Sequence, residues 1–150
     1  MPKVQVVVDE AVELPEGLGE SMEQQLLQLL NYAKLDKELN LLITSDERML
    51  EMNSTFRGKE KTTDVLSFPY PEEDPLLGEL AISLPVAKTQ ATENGWELST
   101  ELTRLLVHGF GHLLGYDHEI SMEEEREMLA LEVKLLGILG LDRIYPDHQS

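Results

Sequence analysis

Residues 108–118 read HGFGHLLGYDH, and the spacing of their histidines decides how this part of the chain folds. His108 and His112 are four residues apart, so a helix would project both side chains from one face, one turn apart. Gly115 offers a point where the chain turns back, and His118 can then return to the same place. Three convergent imidazoles with a fourth position open to water are typical of catalytic zinc. The stretch therefore predicts a helix that leads into a three-histidine metal site; the alternative is three unrelated histidines at a helix end and on the surface.

The sequence on either side of this stretch predicts four strands and five helices. β-branched and alternating apolar residues predict strands over residues 3–8, 39–44, 64–68 and 78–84. Helical periodicity predicts helices over residues 19–34, 46–56 and 85–94, then the histidine helix, then 122–139. The predicted capping residues are Ser45 for the second helix, Ser99 or Thr100 for the histidine helix, and Ser121 with Glu124 for the last. This order predicts one α+β domain over residues 1–150, with a small mixed four-stranded sheet.

The composition indicates a protein without disulfides or membrane spans. The 150 residues are 41% hydrophobic and include no cysteine, so a zinc ion would have to be held by nitrogen and oxygen atoms. The N-terminal apolar run is too short for a signal peptide, and no stretch approaches the roughly 20 apolar residues of a membrane span. We therefore expect a cytoplasmic protein.

The formal net charge of −17 restricts how the chain can act on a nucleic acid. Such acidity repels nucleic acid at long range, so a function on RNA or DNA must rest on a local positive site. Arg57, Lys59 and Lys61 place three of the 12 basic residues within five positions. Because the guanidinium fork of Arg57 matches phosphate oxygens in a bidentate manner, this segment predicts a phosphate clamp. A solvated loop paired with Glu60 is the alternative.

Two glycines between the histidines indicate a close approach to the helix. Gly109 and Gly111 each cost roughly 1 kcal/mol relative to alanine inside a helix, so we expect a strand, a loop or the substrate to pass close to that face. The spacing His-x3-His-x5-His is also that of the metzincin metallopeptidases, which carry a glutamate general base directly after the first histidine. Gly109 holds that position here, which disfavours peptide hydrolysis. A bound metal can still polarise a substrate oxygen and lower the pKa of its water.

Two long motifs resemble the YbeY family of endoribonucleases. The histidine stretch resembles the signature of that family, and residues 57–70, RGKEKTTDVLSFPY, resemble its other hallmark segment. Residues 77–83, LGELAIS, resemble the strand that follows. The resemblance covers nearly the whole chain, with the motifs in the same order, and it implies a zincin-like fold.

The resemblance also implies a function and a set of site residues. It implies a zinc-dependent hydrolase that cuts single-stranded RNA, matures ribosomal RNA, notably the small-subunit 3′ end, and takes part in ribosome quality control. The partners would be RNA and the ribosome or its small-subunit proteins, with neither DNA nor a membrane involved. Carried over by position, His108, His112 and His118 would bind one Zn²⁺ ion, and Arg57 would be the catalytic residue that binds phosphate.

The sequence leaves open the roles of two aspartates, the identity of the metal and the choice between an enzyme and an assembly factor. Asp64 and Asp117 lie near the motifs and could orient a histidine or serve as general base; capping of a strand end or turn is the alternative. Nickel, copper or manganese could occupy the same nitrogens as zinc. The alternative to an enzyme is a ribosome-assembly factor whose metal only stabilises the fold or holds a partner. Arg57→Ala distinguishes the two, because only a nuclease would lose turnover while it keeps its metal and fold.

Overall fold

A four-stranded mixed sheet with helices on both faces forms the scaffold of the protein. The computed structural model describes residues 1–57, 63–115 and 122–141, with the backbone alone at residues 56 and 57. The strands are β1 (Lys3–Val8), β2 (Glu38–Thr44), β3 (Val65–Pro69) and β4 (Leu76–Ser83). The helices are α1 (Leu18–Tyr32), α2 (Asp46–Arg57), α3 (Leu84–Asn94), α4 (Leu98–Leu113) and α5 (Met122–Ile138). Over these ranges the type and order of the elements confirm the predicted α+β class.

The order of the strands places β3 at one edge of the sheet, beside the histidine helix. The sheet runs β1-β2-β4-β3, with β1, β2 and β4 parallel. β3 pairs antiparallel with β4, from Val65 opposite Ile82 to Pro69 opposite Gly78. Because β3 follows the basic segment along the chain and contacts α4, the sheet connects the two motifs that the sequence singled out.

The larger part of the core lies on the sheet face that α1 and α4 cover. The strand side chains that contribute buried leucines and isoleucines to this core are Leu39, Leu41, Ile43, Leu77, Leu80 and Ile82. α4 buries 10 of its 16 residues, and Phe110 is the largest of the fully buried side chains. Full burial of such a side chain contributes about 1.5–3 kcal/mol. The helix that carries the histidines is therefore firmly fixed to the sheet.

The opposite face of the sheet is covered by α2. Met49 and Met52 of this helix pack on Leu66 of β3 and Ala81 of β4. Ser45 caps α2 as predicted, since its Oγ accepts a hydrogen bond from the Arg48 N–H at 3.2 Å. α2 ends at Arg57, so the basic segment leaves the end of a packed helix.

The predicted start of α4 is wrong by two or three residues. The helix begins at Leu98 with Glu97 as its N-cap residue, and neither Ser99 nor Thr100 occupies the cap. α3 ends at Gly95, whose φ of +69° suits a glycine, and backbone hydrogen bonds tie this turn back onto α3. The next helix therefore starts at once, and Ser99 already lies in its first turn, where its carbonyl accepts the Thr103 hydroxyl at 3.0 Å. Ser121 lies outside the described residues, so the capping box before α5 stays a prediction.

Candidate active site

His108 and His112 come together on α4 as the spacing predicted. Their Nε2 atoms are 3.2 Å apart, and the two rings stand nearly perpendicular, at 82°, with centroids 4.7 Å apart. Two nitrogens that share a tetrahedral zinc ion at about 2.0–2.1 Å lie about 3.3–3.4 Å from each other. The pair therefore fits two ligands of one metal ion with almost no change of position.

Glu132 of α5 fixes the orientation of His108. Its Oε2 lies 3.0 Å from His108 Nδ1, and the residue is only 5% exposed. An ionised carboxylate can only accept a hydrogen bond, so Nδ1–H donates and the lone pair of His108 stays on Nε2, toward His112. Such a carboxylate behind a metal-binding histidine sets its tautomer and raises its basicity.

The sequence reasoning missed Glu132, although one signal was present. Met128, Leu135 and Leu136 are buried on the same helix. Glu132 follows Met128 by four residues and precedes Leu135 by three, which places it on the apolar stripe of α5. A carboxylate at such a position needs a buried partner, because burial of an unpaired charge is costly.

The two glycines of α4 allow neighbouring elements to approach the histidines. A Cβ at Gly109 would lie 2.8 Å from Leu80 Cδ2 and 3.2 Å from Val65 Cγ2, and the Ser67 hydroxyl donates to the Gly109 carbonyl at 3.1 Å. A Cβ at Gly111 would lie 2.8 Å from Met128 Cε. β3 and α5 thus pack directly on α4, one on either side of the histidine pair, which confirms the close approach expected from the sequence.

Three other predicted site residues are not described at the level of their side chains. Arg57 is the last residue of α2, and its side chain is not described; His118 and Asp117 fall outside the described ranges altogether. In the part of the chain that the structure describes, no group of three or more His, Cys, Asp or Glu side chains is arranged to hold one metal ion. The complete three-histidine site and the role of Arg57 therefore stay predictions.

Asp64 directly precedes β3, and its side chain has partners on α3 and on α4. Its Oδ1 accepts the Val65 N–H at 2.8 Å, and its Oδ2 lies 3.4 Å from Gln90 Nε2. Arg104 Nη2 stands 3.9 Å from the same Oδ2. Within the described residues, the structure thus joins Asp64 to α3 and to the turn of α4 that precedes His108, and neither His108 nor His112 is among its partners.

Comparisons with known proteins identify the family of the chain. The family profile described as endoribonuclease YbeY matches residues 7–140. The endoribonuclease YbeY of Geobacillus thermodenitrificans is 39% identical over 150 residues, which cover 91% of this chain and 96% of the relative. That of Sulfurihydrogenibium sp. is 43% identical and covers 85% of each chain. The solution structure of TM1509 from Thermotoga maritima superposes with a TM-score of 0.67 at 28% identity, over 98% of this chain and 96% of the other. The chain therefore belongs to the YbeY family of endoribonucleases.

Proposed function

We propose that the protein is a zinc-dependent endoribonuclease that hydrolyses phosphodiester bonds in single-stranded RNA. Membership of the family makes RNA the substrate class and hydrolysis the reaction. The observation that supports a metal is the pair of Nε2 atoms 3.2 Å apart on α4, with a buried carboxylate behind one of the rings. His118 would complete a three-nitrogen set, which favours zinc in a chain without cysteine.

Each residue of the proposed site has a distinct task. A zinc ion, when bound, supplies Lewis acidity that polarises a phosphoryl oxygen and lowers the pKa of water. His108, His112 and His118 would hold it, and Glu132 keeps the proton of His108 on Nδ1. Arg57 would bind the phosphate through its guanidinium fork and so orient the scissile bond.

The biological setting that we propose follows from the family. The substrate would be ribosomal RNA, with maturation of the small-subunit 3′ end and ribosome quality control as the processes served. A ribosomal partner would also help a chain with a net charge of −17 to reach RNA. In the described part of the chain no helix is both long enough and apolar enough to cross a membrane. We propose a cytoplasmic location, where ribosomes are assembled.

Cleavage of a labelled single-stranded RNA tests this proposal. The zinc-loaded protein should cut the RNA, and both a chelator and Arg57→Ala should abolish the cutting. Arg48→Ala is the matched control, because Arg48 lies on the same helix with a side chain 53% exposed and no place in the site; this variant should cut as the wild type does. If the wild-type protein is confirmed to hold zinc and still does not cut, the metal-stabilised assembly factor becomes the better interpretation.

A further inference from the structure

The strand that contacts the histidine helix has one open edge. Among the described strands, β3 has a neighbour on one side only, β4. The Ser83 N–H donates to the Asp64 carbonyl, and the Tyr70 N–H donates to the Leu77 carbonyl. These two bonds lie at the ends of an unbroken β3–β4 register, and the direction of the backbone groups alternates along an antiparallel strand. Even-numbered residues of β3 therefore bond to β4, and the odd-numbered residues direct their N–H and C=O groups to the open edge. These outward residues are Val65, Ser67 and Pro69.

Only one of the outward residues has an N–H available to a ligand. The Val65 N–H already donates to Asp64 Oδ1 at 2.8 Å, and proline has no N–H. The Ser67 N–H has no acceptor in the described part of the chain, and the residue is partly exposed. The open edge thus presents a single donor between carbonyl oxygens that repel an anion. An anionic group bound to this edge must therefore bind at Ser67.

Ser67 is also the residue that joins this edge to the histidine helix. Its hydroxyl donates to the Gly109 carbonyl at 3.1 Å, and Gly109 directly follows His108. A Cβ at Gly109 would lie only 3.3 Å from Ser67 Oγ. The outward N–H of Ser67 is therefore held beside the histidine pair by close packing of β3 on α4.

The histidines leave α4 on the side where β3 ends the sheet. On the other side of the helix, Thr103 Oγ1 lies 3.0 Å from Gln25 Oε1 of α1. α1 packs on β1, which forms the opposite edge of the sheet. His112 follows Thr103 by nine residues, about two and a half turns, so the two side chains leave opposite sides of the helix. His112, and His108 one turn before it, therefore project toward the open edge of β3.

From these observations we infer that the open edge of β3 binds the RNA strand, with the Ser67 N–H donating to a non-bridging oxygen of a phosphate beside the histidines. The contact is made by the main chain, so no side-chain motif in the sequence indicates it. This inference rests on the proposed function. RNA is favoured over an extended peptide of a partner protein, because a peptide that adds a strand bonds to donors on alternate residues and this edge offers only one.

Exchange of a single backbone N–H for oxygen tests the inference. Lactic acid is the α-hydroxy acid counterpart of alanine, and its incorporation at position 67 during translation replaces the N–H with an ester oxygen. Ser67→Ala is the matched reference, because it has the same side chain and keeps the N–H. On the labelled single-stranded RNA, kcat/KM of the ester should be about 10- to 100-fold lower than that of Ser67→Ala, the range for loss of a hydrogen bond to a charged oxygen.

The same exchange at Val6 is the control for a weakened sheet. The Lys3 N–H donates to the Lys37 carbonyl and the Asp9 N–H to the Ile43 carbonyl, so the odd-numbered residues of this segment bond to β2. The N–H of Val6 therefore points to the opposite open edge of the sheet. The α-hydroxy acid counterpart of valine at this position should leave kcat/KM at the wild-type value. An equal loss at positions 6 and 67 would overturn the inference, since the ester would then act on the sheet and not on the substrate. The zinc content of both esters should equal that of the wild type.

Amide NMR of the zinc-loaded wild-type protein makes the test independent of catalysis and of any substitution. The RNA carries phosphorothioate linkages, which slow its hydrolysis, and it is added until fluorescence anisotropy shows saturation. The Ser67 amide proton should move downfield and exchange more slowly with water, whereas that of Leu66, which bonds to β4, should change little. An unchanged Ser67 amide in the saturated complex would overturn the inference. Absence of cleavage by the wild-type protein would contradict the proposed function instead.

Discussion

Glu132→Gln separates the charge of the buried carboxylate from its shape. In the structure Glu132 Oε2 accepts from His108 Nδ1 at 3.0 Å, and Glu132 itself is only 5% exposed. A glutamine can still accept this hydrogen bond through its amide oxygen, so the ring orientation is kept and only the charge is lost. Hydrogen bonds to a charged group contribute about 1.5–3 kcal/mol and those between neutral groups about 0.5–1.5 kcal/mol.

The difference, about 1–1.5 kcal/mol, corresponds to a loss of about tenfold in zinc affinity. Glu132→Ala also removes the acceptor and leaves Nδ1 without its partner, so the loss should approach the upper end of the range for such carboxylates, about 100-fold. Titration of zinc against a chromophoric chelator of known affinity measures both values. Single-turnover cleavage at saturating zinc then reports whether the bound metal works normally.

Glu127→Gln is the matched control for this series. Glu127 lies on the same helix but is exposed, so its replacement changes the net charge equally without touching the histidines. Thermal denaturation in the absence of metal shows whether each variant is folded. Wild-type zinc affinity in a folded Glu132→Gln would refute the reasoning, because His108 would then bind metal equally well whether or not a carboxylate stands behind it.

Three further predictions concern the ligands, the glycines and acid stability. His112→Ala should release the bound zinc in a metal assay of the purified protein, and unchanged metal stoichiometry would overturn the three-histidine assignment. Gly78→Ala should destabilise the fold by about 1–3 kcal/mol in urea denaturation, since its Cβ would lie 2.7 Å from the Phe68 carbonyl oxygen, which belongs to the backbone of the paired strand β3; a wild-type free energy of unfolding would contradict this close packing. Hydrogen bonds from the Ala11 N–H and the Thr44 hydroxyl lower the pKa of Asp9 below its usual 3.8. The stabilising effect of that carboxylate is therefore complete above this value and is lost as the pH falls through the lower pKa of the folded state. The stability difference between wild type and Asp9→Asn should accordingly shrink in acid below about pH 4.

Local sequence patterns predicted the elements well, because each pattern arises within one segment. The β-branched residues of β1 predicted its exact span, residues 3–8, and Ser45 was identified as the cap of α2 from its neighbours alone. Local sequence also predicted the histidine pair, since two residues four apart on a helix lie on the same face. The start of α4 at Leu98 was not predicted, because the turn that ends α3 determines where α4 begins and no serine or threonine side chain caps it.

Local sequence patterns could not predict the contacts of residues that lie behind or beside the histidines. Glu132 meets His108 across 24 residues, and Gln90 meets Asp64 across 26. Nothing in the local sequence of either residue specifies its partner, because the meeting depends on how α5 and α3 pack against α4. The sequence does show which carboxylates need a partner, because a carboxylate on the apolar stripe of a helix must be paired if it is buried. Glu132 and Glu101 both meet this criterion, and both are paired.

The pairing of these buried acids also bears on how so acidic a chain can act on RNA. The two buried glutamates among the described residues, Glu101 and Glu132, use their carboxylates inside the protein. Glu101 accepts hydrogen bonds from Arg104 and Gln90, and Glu132 accepts one from His108. In the proposed function, the field that a phosphate meets would therefore depend less on these carboxylates than on the bound metal and on the positive charge of Arg57, Lys59 and Lys61. The remaining acids lie mostly on the solvated surface, where physiological salt screens their charge beyond about 8 Å. A net charge of −17 is thus compatible with a local site for phosphate, provided that the metal is bound and the basic segment is held beside it.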